Sequence, residues 1–286
     1  MGSTFKNFAV AMGLEHGVIT PETVYDARQP LRIGRQVIRD FHAQNRAMTI
    51  EEILSHSSNI GTSKIAFDVG PERQQAFLGK LGLMDRPDME LRDAIAPGLP
   101  RQWSQIVGAT VSFGHGLSVS PIAAIGAFGA VANGGEFVEP TLRARTAGEA
   151  FQRTRVMSVE TSRTMVGLLR HVVTDGTGGK AEAPGYEVGG KTGTAEKISP
   201  TGGYDSSRRL SSFVAVFPTS APRYLVYVQL DEPKGSDATH GQGTAGWTAA
   251  PVVSRIVART APMLGVEPVR TLAEAGTPQN AARSVQ

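Results

Sequence analysis

The 286-residue chain contains no cysteine. Disulfide staples, thiolate metal centres and cysteine nucleophiles are therefore excluded, while the redox compartment stays open. Aromatic residues are scarce at 6%, and 29 Lys and Arg nearly balance 26 Asp and Glu, for a formal charge of +3. No dense basic run with interleaved aromatics occurs, so nucleic acid is not an expected partner. The six histidines lack HExxH spacing or close clustering, and no metal or other cofactor is expected. Long apolar runs are missing too: the most apolar helix candidate, 121–133, is rich in Ala and Gly and too short to span a bilayer. The start, Met-Gly-Ser-Thr-Phe-Lys, has neither a basic n-region nor an apolar h-region, so no signal peptide or membrane anchor is expected in this chain.

What is present is a hydrophobic content of 40%, enough for a sizeable core at this length. Residues 3–15 are expected to form a helix with Phe5, Phe8, Ala9 and Met12 near one face. Residues 33–41 fit a strand. Thr49 and Glu52 form a capping box opening a helix over 50–56. Further helices are expected after Asn59, from Pro71, over 104–112, from Pro121 and from Ser158, the last being the most periodic. Residues 136–142 suit an edge strand because Pro140 interrupts them. Then the texture changes: 186–198, 210–217 and 224–231 read as three strands in close succession, which favours antiparallel pairing. A closing helix is expected over 247–264. The layout is α+β, with one domain over 1–266 and a polar tail over 267–286.

Three short motifs stand in order within this frame: Ser3-Thr4-Phe5-Lys6, Ser57-Ser58-Asn59 and Lys191-Thr192-Gly193-Thr194. A serine hydroxyl is a weak nucleophile until a base removes its proton. Ser3 and Lys6 are three apart and share a helix face, with Ser3 in the first turn, where the dipole favours negative charge. A lysine acts as a base only when burial or another cation lowers its pKa, and Lys191 is the candidate cation. Ser57 can relay a proton towards a leaving amine, and Asn59 can hold a substrate amide. On a strand, Lys191 and Gly193 face one way, Thr192 and Thr194 the other. The threonine hydroxyls and the ammonium suit a carboxylate, Gly193 lets a substrate backbone approach, and the backbone N–H groups of Ser3 and Thr194 suit an oxyanion.

Together, S-x-x-K, S-x-N and K-T-G are the motif set of penicillin-binding proteins and class A β-lactamases. The likeness extends through GSTFKNFAVAMGLE, LSHSSNIGTSKIA, WSQIVGATVSFGHGLSVSPIAAIGAFGAVANGG, GGKTGTAEK and SSFVAVFPTSAPRYLVYVQLDEP. Over most of residues 2–265 the chain resembles a class B penicillin-binding protein of the division-specific type, a peptidoglycan D,D-transpeptidase. The resemblance implies an antiparallel sheet flanked by helices, plus a helical subdomain. It implies Ser3 as the acylated serine, Lys6 as its base, Ser57 and Asn59 as the second motif, and Lys191, Thr192 and Thr194 as the third. It also implies stem peptides ending in D-Ala-D-Ala and β-lactams as ligands, divisome membrane proteins as partners, and a place at the septum on the periplasmic face of the inner membrane. A D,D-carboxypeptidase or a serine β-lactamase shares the motifs. In the family, an anchor, a pedestal domain and the first sheet strands precede the nucleophile, so the chain is expected to be truncated at its N-terminus. A fragment that is inactive or only binds is the alternative of another class. Gly114 and Gly116 lie in a family stretch expected to be structural.

Blander readings accompany each element. Ser3 also suits an N-cap, Ser57–Asn59 a turn. His56, His115 and His240 are expected to be structural, and Trp103 and Trp247 to be packing residues. Residues 185–192 match the P-loop string GxxxxGK[ST], but Pro200, Gly202 and Gly203 forbid the long helix a P-loop needs.

Overall fold

The computed structural model describes residues 1–91, 93–146, 148–199 and 202–269. A 3₁₀ turn, Gly2–Phe5, runs into α1 (Lys6–Glu15). Short strands follow: β1 (Val24–Asp26), β2 (Leu31–Ile33), β3 (Gln36–Ile38) and β4 (Ala47–Thr49), with β1 pairing β4 and β2 pairing β3. The helices α2 (Ile50–Ser55), α3 (Asn59–Val69), α4 (Pro71–Lys80), α5 (Gln105–Ser112) and α6 (Pro121–Ala132) come next. After β5 (Glu136–Phe137) and β6 (Thr154–Arg155) stands α7 (Val159–Thr174). The main sheet is β7 (Gly189–Ile198), β8 (Tyr204–Phe217) and β9 (Tyr224–Asp231), antiparallel in that order, and α8 (Ala249–Thr260) follows.

The sheet's period of two separates two cores. Val214 and Val216 join a cluster with Phe5 of the 3₁₀ turn, Phe8 and Met12 of α1, Ile65 of α3, Phe128 of α6 and Leu169 of α7. Phe213, Ala215 and Phe217 join the opposite cluster, with Val253 and Val257 of α8. Caps set the helix starts: Thr49 and Glu52 make the capping box of α2, and Ser58, Ser104, Ser120 and Ser158 each accept a first-turn N–H of their helix.

Several expectations are corrected. The helix α1 has no single apolar face: Lys6 to Gly13 are all buried, because α1 packs against α2, α3, α4, α5 and α7. The strand over 33–41 is a hairpin turning at Gly34, whose φ of +58° suits glycine. The edge strand over 136–142 shortens to two residues before Pro140. The strand over 210–217 begins earlier, at Tyr204, and the strand over 186–198 begins later, at Gly189. The closing helix is shorter at both ends. Of the tail over 267–286, residues 270–286 lie outside the described residues, and the start is not loose: the Val269 N–H bonds the Gly185 carbonyl at 2.8 Å. Among the described residues, no helix is long and apolar enough to cross a membrane.

Candidate active site

Ser3 sits in the 3₁₀ turn, held where three segments cross at close range. Gly2 has φ +56°, and a Cβ there would lie 2.8 Å from the Thr194 carbonyl oxygen. Gly114, at φ +83°, would place a Cβ 2.2 Å from the Gly2 carbonyl oxygen. Only glycine fits either position. Thr4 is buried and donates its hydroxyl to the Met1 carbonyl at 3.0 Å. One turn later Lys6 is fully buried. Gly114 is thus structural in a specific sense: it seats the turn that carries Ser3. Gly116 shares its φ but has nothing closer than 3.6 Å.

Between α2 and α3 the chain reverses at Ser57, a non-glycine residue at φ +60°. This costly conformation turns both the carbonyl and the hydroxyl of Ser57 onto Lys6: Nζ donates to the carbonyl and lies 3.0 Å from Oγ. From the other side, Lys191 Nζ lies 3.0 Å from the same Oγ. Two buried lysines therefore share one serine hydroxyl. Ser3 makes no side-chain hydrogen bond among the described residues, and Lys6 is engaged with Ser57.

Burial pulls the Lys6 pKa well below the ordinary lysine value, and the Lys191 charge lowers it further, against a partial offset from Asp40. Burial brings Lys191 down to about 7. Two ammonium groups on one hydroxyl are unfavourable in a dry site, so Lys6 is the amine held neutral. Its lone pair is then free to take a hydroxyl proton, while Lys191 is the better carrier of positive charge.

Lys191 lies in β7, opposite Val214 on the helical face, and its ammonium also donates to the Thr192 carbonyl (3.1 Å) and Thr192 Oγ1 (3.2 Å). Thr192 and Thr194 occupy the other face, as alternation predicts. They line a cleft of about 360 Å³ together with Ser3, Ser57 and Asn59. Asn59 gives one amide hydrogen to the Arg39 carbonyl at 2.8 Å, leaving the other and its oxygen for a ligand. Thr194 Oγ1 accepts the Ala245 N–H at 3.1 Å. Gly193 needs correction as a residue for substrate approach. It turns to the helical face, where a Cβ would lie 2.7 Å from the Met1 carbonyl oxygen and from Thr4 Cγ2. What it admits is the turn that carries Ser3.

The P-loop string is accidental, since Lys191 and Thr192 lie inside a strand that continues to Ile198. His115 lines the cleft but stacks on Tyr204 with centroids 4.9 Å apart. Burial, the amino terminus and Lys6 lower its pKa, as suits a neutral packing histidine. Trp103 donates to Gln74 at 2.8 Å. Trp247 lines the cleft wall with the Lys180 ammonium over its ring.

Comparison with known proteins identifies the family. Residues 1–258 match the penicillin binding protein transpeptidase domain. The chain belongs to the penicillin-binding protein transpeptidase family. A curated relative, the probable peptidoglycan D,D-transpeptidase FtsI of Caulobacter vibrioides, is 44% identical over 291 residues, covering 99% of this chain and 49% of its own length. Among solved structures, the transpeptidase domain of Burkholderia pseudomallei penicillin-binding protein 3 is 34% identical with a TM-score of 0.86, covering 94% of this chain and 81% of that one. The ampicillin complex of Mycobacterium tuberculosis penicillin-binding protein 3 is 30% identical, with a TM-score of 0.84 over 97% of this chain and 64% of that one. The chain spans about half the length of the curated relatives it matches.

Some residues of the candidate site escaped the sequence. Thr177, in the loop after α7, places Oγ1 2.8 Å from Thr192 Oγ1. Asp40 accepts the Ser58 hydroxyl (2.8 Å) and the Ile60 N–H (2.9 Å), tying the second motif's turn to the loop after β3. Neither residue sits in a local pattern, so only the tertiary fold discloses them.

Proposed function

We propose that this chain is the catalytic domain of a septal peptidoglycan D,D-transpeptidase. The observation that carries the reading is the meeting of two buried lysines at Ser57 Oγ, beside Ser3. Ser3 Oγ attacks the carbonyl between the two terminal D-alanines of a stem peptide, and its proton passes to neutral Lys6. The tetrahedral oxyanion is received by the backbone N–H groups of Ser3 and Thr194. Positively charged Lys191, with the hydroxyls of Thr192 and Thr194, holds the terminal carboxylate. As the C–N bond breaks, Ser57 hands a proton from Lys6 to the leaving amine, and D-Ala departs. An amine of a second stem then attacks the Ser3 ester carbonyl and loses a proton to neutral Lys6; as the ester C–O bond breaks, that proton passes to the departing Ser3 Oγ, leaving the crosslinking amide and the free serine. β-Lactams acylate Ser3 by the first half of this sequence. Asn59 orients the donor's amide.

Divisome membrane proteins as partners, and the periplasmic face of the septal membrane as location, follow from the FtsI-like resemblance. We take the domain to span 1–266, a reading supported by the family match over 1–258. The alternatives, carboxypeptidase and β-lactamase, differ in what resolves the acyl-enzyme. Incubation with a donor ending in D-Ala-D-Ala and an amine acceptor should yield free D-Ala and an aminolysis product. Hydrolysis alone would favour the carboxypeptidase, and fast penicillin turnover the β-lactamase.

A further inference from the structure

The hairpin of β2 and β3 carries a charged surface that the chemistry above does not use. Between Asp26 and Asp40 stand four arginines, Arg28, Arg32, Arg35 and Arg39, and no acid. The register of the hairpin sorts its side chains. Leu31 stands opposite Ile38 and Ile33 opposite Gln36, and these three aliphatic residues pack on the helical core. Arg32, opposite Val37, alternates to the outer face. Arg35 sits at the tip beside Gly34, and Arg39 follows one residue past β3. Arg32, Arg35 and Arg39 are all exposed, and among the described residues none of the three makes a side-chain hydrogen bond or ion pair. The flanking acids are already engaged. Asp26 accepts the Arg28 N–H at 3.0 Å and lies 3.8 Å from its guanidinium, while Asp40 holds the Ser58 hydroxyl and the Ile60 N–H.

This cationic strip runs into the cleft. The Arg39 carbonyl receives the Asn59 amide at 2.8 Å. Phe41 and His42, a few residues on, line the cleft together with Ser57 and Asn59. The donor's carboxylate belongs on the strand side, at Lys191, Thr192 and Thr194. The acceptor amine must give its proton to Lys6, whose Nζ lies 3.0 Å from Ser57 Oγ, so it arrives on the side that carries Ser57. An acceptor stem keeps its own C-terminal carboxylate free, and many stems on one strand make a polyanion. Four residues of extended chain, from Arg35 to Arg39, span roughly 13 Å, room for more than one carboxylate. Guanidinium forks with no partner of their own suit such groups.

We propose that Arg32, Arg35 and Arg39 form a docking strip for the acceptor strand, binding its free carboxylates while one stem amine reaches the Ser3 ester. The inference rests on the transpeptidase reading and concerns its second substrate.

Two acceptor peptides of equal length, each with a lysine side chain as its sole amine, serve as probes: acetyl-Ala-Glu-Lys-Ala with both carboxylates free, and acetyl-Ala-Gln-Lys-Ala amide with none. A thioester of acetyl-D-alanine is the acyl donor, and the intact chain is read by its rate of aminolysis product formation at low acceptor concentration. Three exposed charges acting together should make the anionic acceptor about tenfold faster than the neutral one. That ratio should fall towards one in R32Q/R35Q/R39Q, and R32K/R35K/R39K should keep part of it. Each single Gln variant should lower it about twofold. In the unaltered chain the ratio should also fall as salt is raised from about 50 to about 500 mM. Ratios within one variant cancel any general loss of fold or nucleophile. Product from both acceptors at a ratio that the Gln variants do not move would overturn the strip while leaving the transpeptidase reading standing. An unmoved ratio with lost binding to vesicles of anionic lipid would give the strip to a membrane surface instead. An unaltered chain that forms neither product would overturn both readings.

Discussion

At the scale of the residue, the site depends on where two lysine protons sit. A lysine whose folded pKa is depressed binds its proton more weakly folded than unfolded. Between about 7 and 10.5 for Lys191 the unfolded chain holds the extra proton, so stability should rise with pH through that window, by about 1.4 kcal/mol per unit at most. Denaturant midpoints at pH 7.5 and 9.5 should show this rise, and K191M should show less of it. The same titration sets activity: Lys191 must be charged to hold a carboxylate, so acylation should decline as pH rises above about 7. K191R, whose charge does not titrate there, should abolish that decline. Ser57 carries a second residue-scale expectation. Its hydroxyl serves both lysines from a left-handed conformation. S57G relieves the left-handed strain but takes the shared hydroxyl from two buried amines, so stability should fall by roughly 1 kcal/mol or less, while the acylation rate should fall about a hundredfold or more through loss of the relay. A stable S57G chain with unaltered acylation would remove Ser57 from the proton path.

At the scale of the element, the turn that carries Ser3 is set by close approaches of backbone. G114A would place a methyl on the Gly2 carbonyl and also strain φ, whereas G116A would strain φ alone. Both should destabilise by roughly 1–3 kcal/mol, but only G114A should also slow acylation strongly, because only it displaces the turn holding Ser3. Thermal melts alongside penicillin acylation rates separate the two effects. Much at this scale was legible in sequence. The caps at Thr49, Ser104, Ser120 and Ser158 are local, and the alternation that turns Thr192 and Thr194 to the cleft follows from strand geometry alone. The burial of α1 on all sides was not legible, because Lys6 and Asn7 look like surface residues until five helices close around them. Gly193 was misassigned for a related reason: its spacing in the motif suggests the cleft, whereas the chain segment it accommodates, Met1 to Thr4, lies 189 residues or more away.

At the scale of the whole molecule, one three-stranded sheet separates two cores, and the cleft opens where the edge strand β7 meets the helical layer. That seam gathers groups from four distant stretches: the start of α1, the turn before α3, the loop after α7 and β7. The three motifs were visible because each is a short string. Thr177 and Asp40 were not, because their contacts exist only once the stretches meet. A structural consequence follows for Asp40, which ties the Ser57–Asn59 turn to the loop after β3. D40N should lower stability by about 1 kcal/mol through the weakened N-terminal bonds of α3, measurable as a shift in denaturant midpoint. The acyl-enzyme chemistry itself is tested most directly by intact-mass and peptide mass spectrometry of the chain after exposure to benzylpenicillin. The expected result is a single adduct of the whole penicillin mass on Ser3, absent in S3A. An unmodified chain, or an adduct that persists in S3A, would contradict Ser3 as the nucleophile.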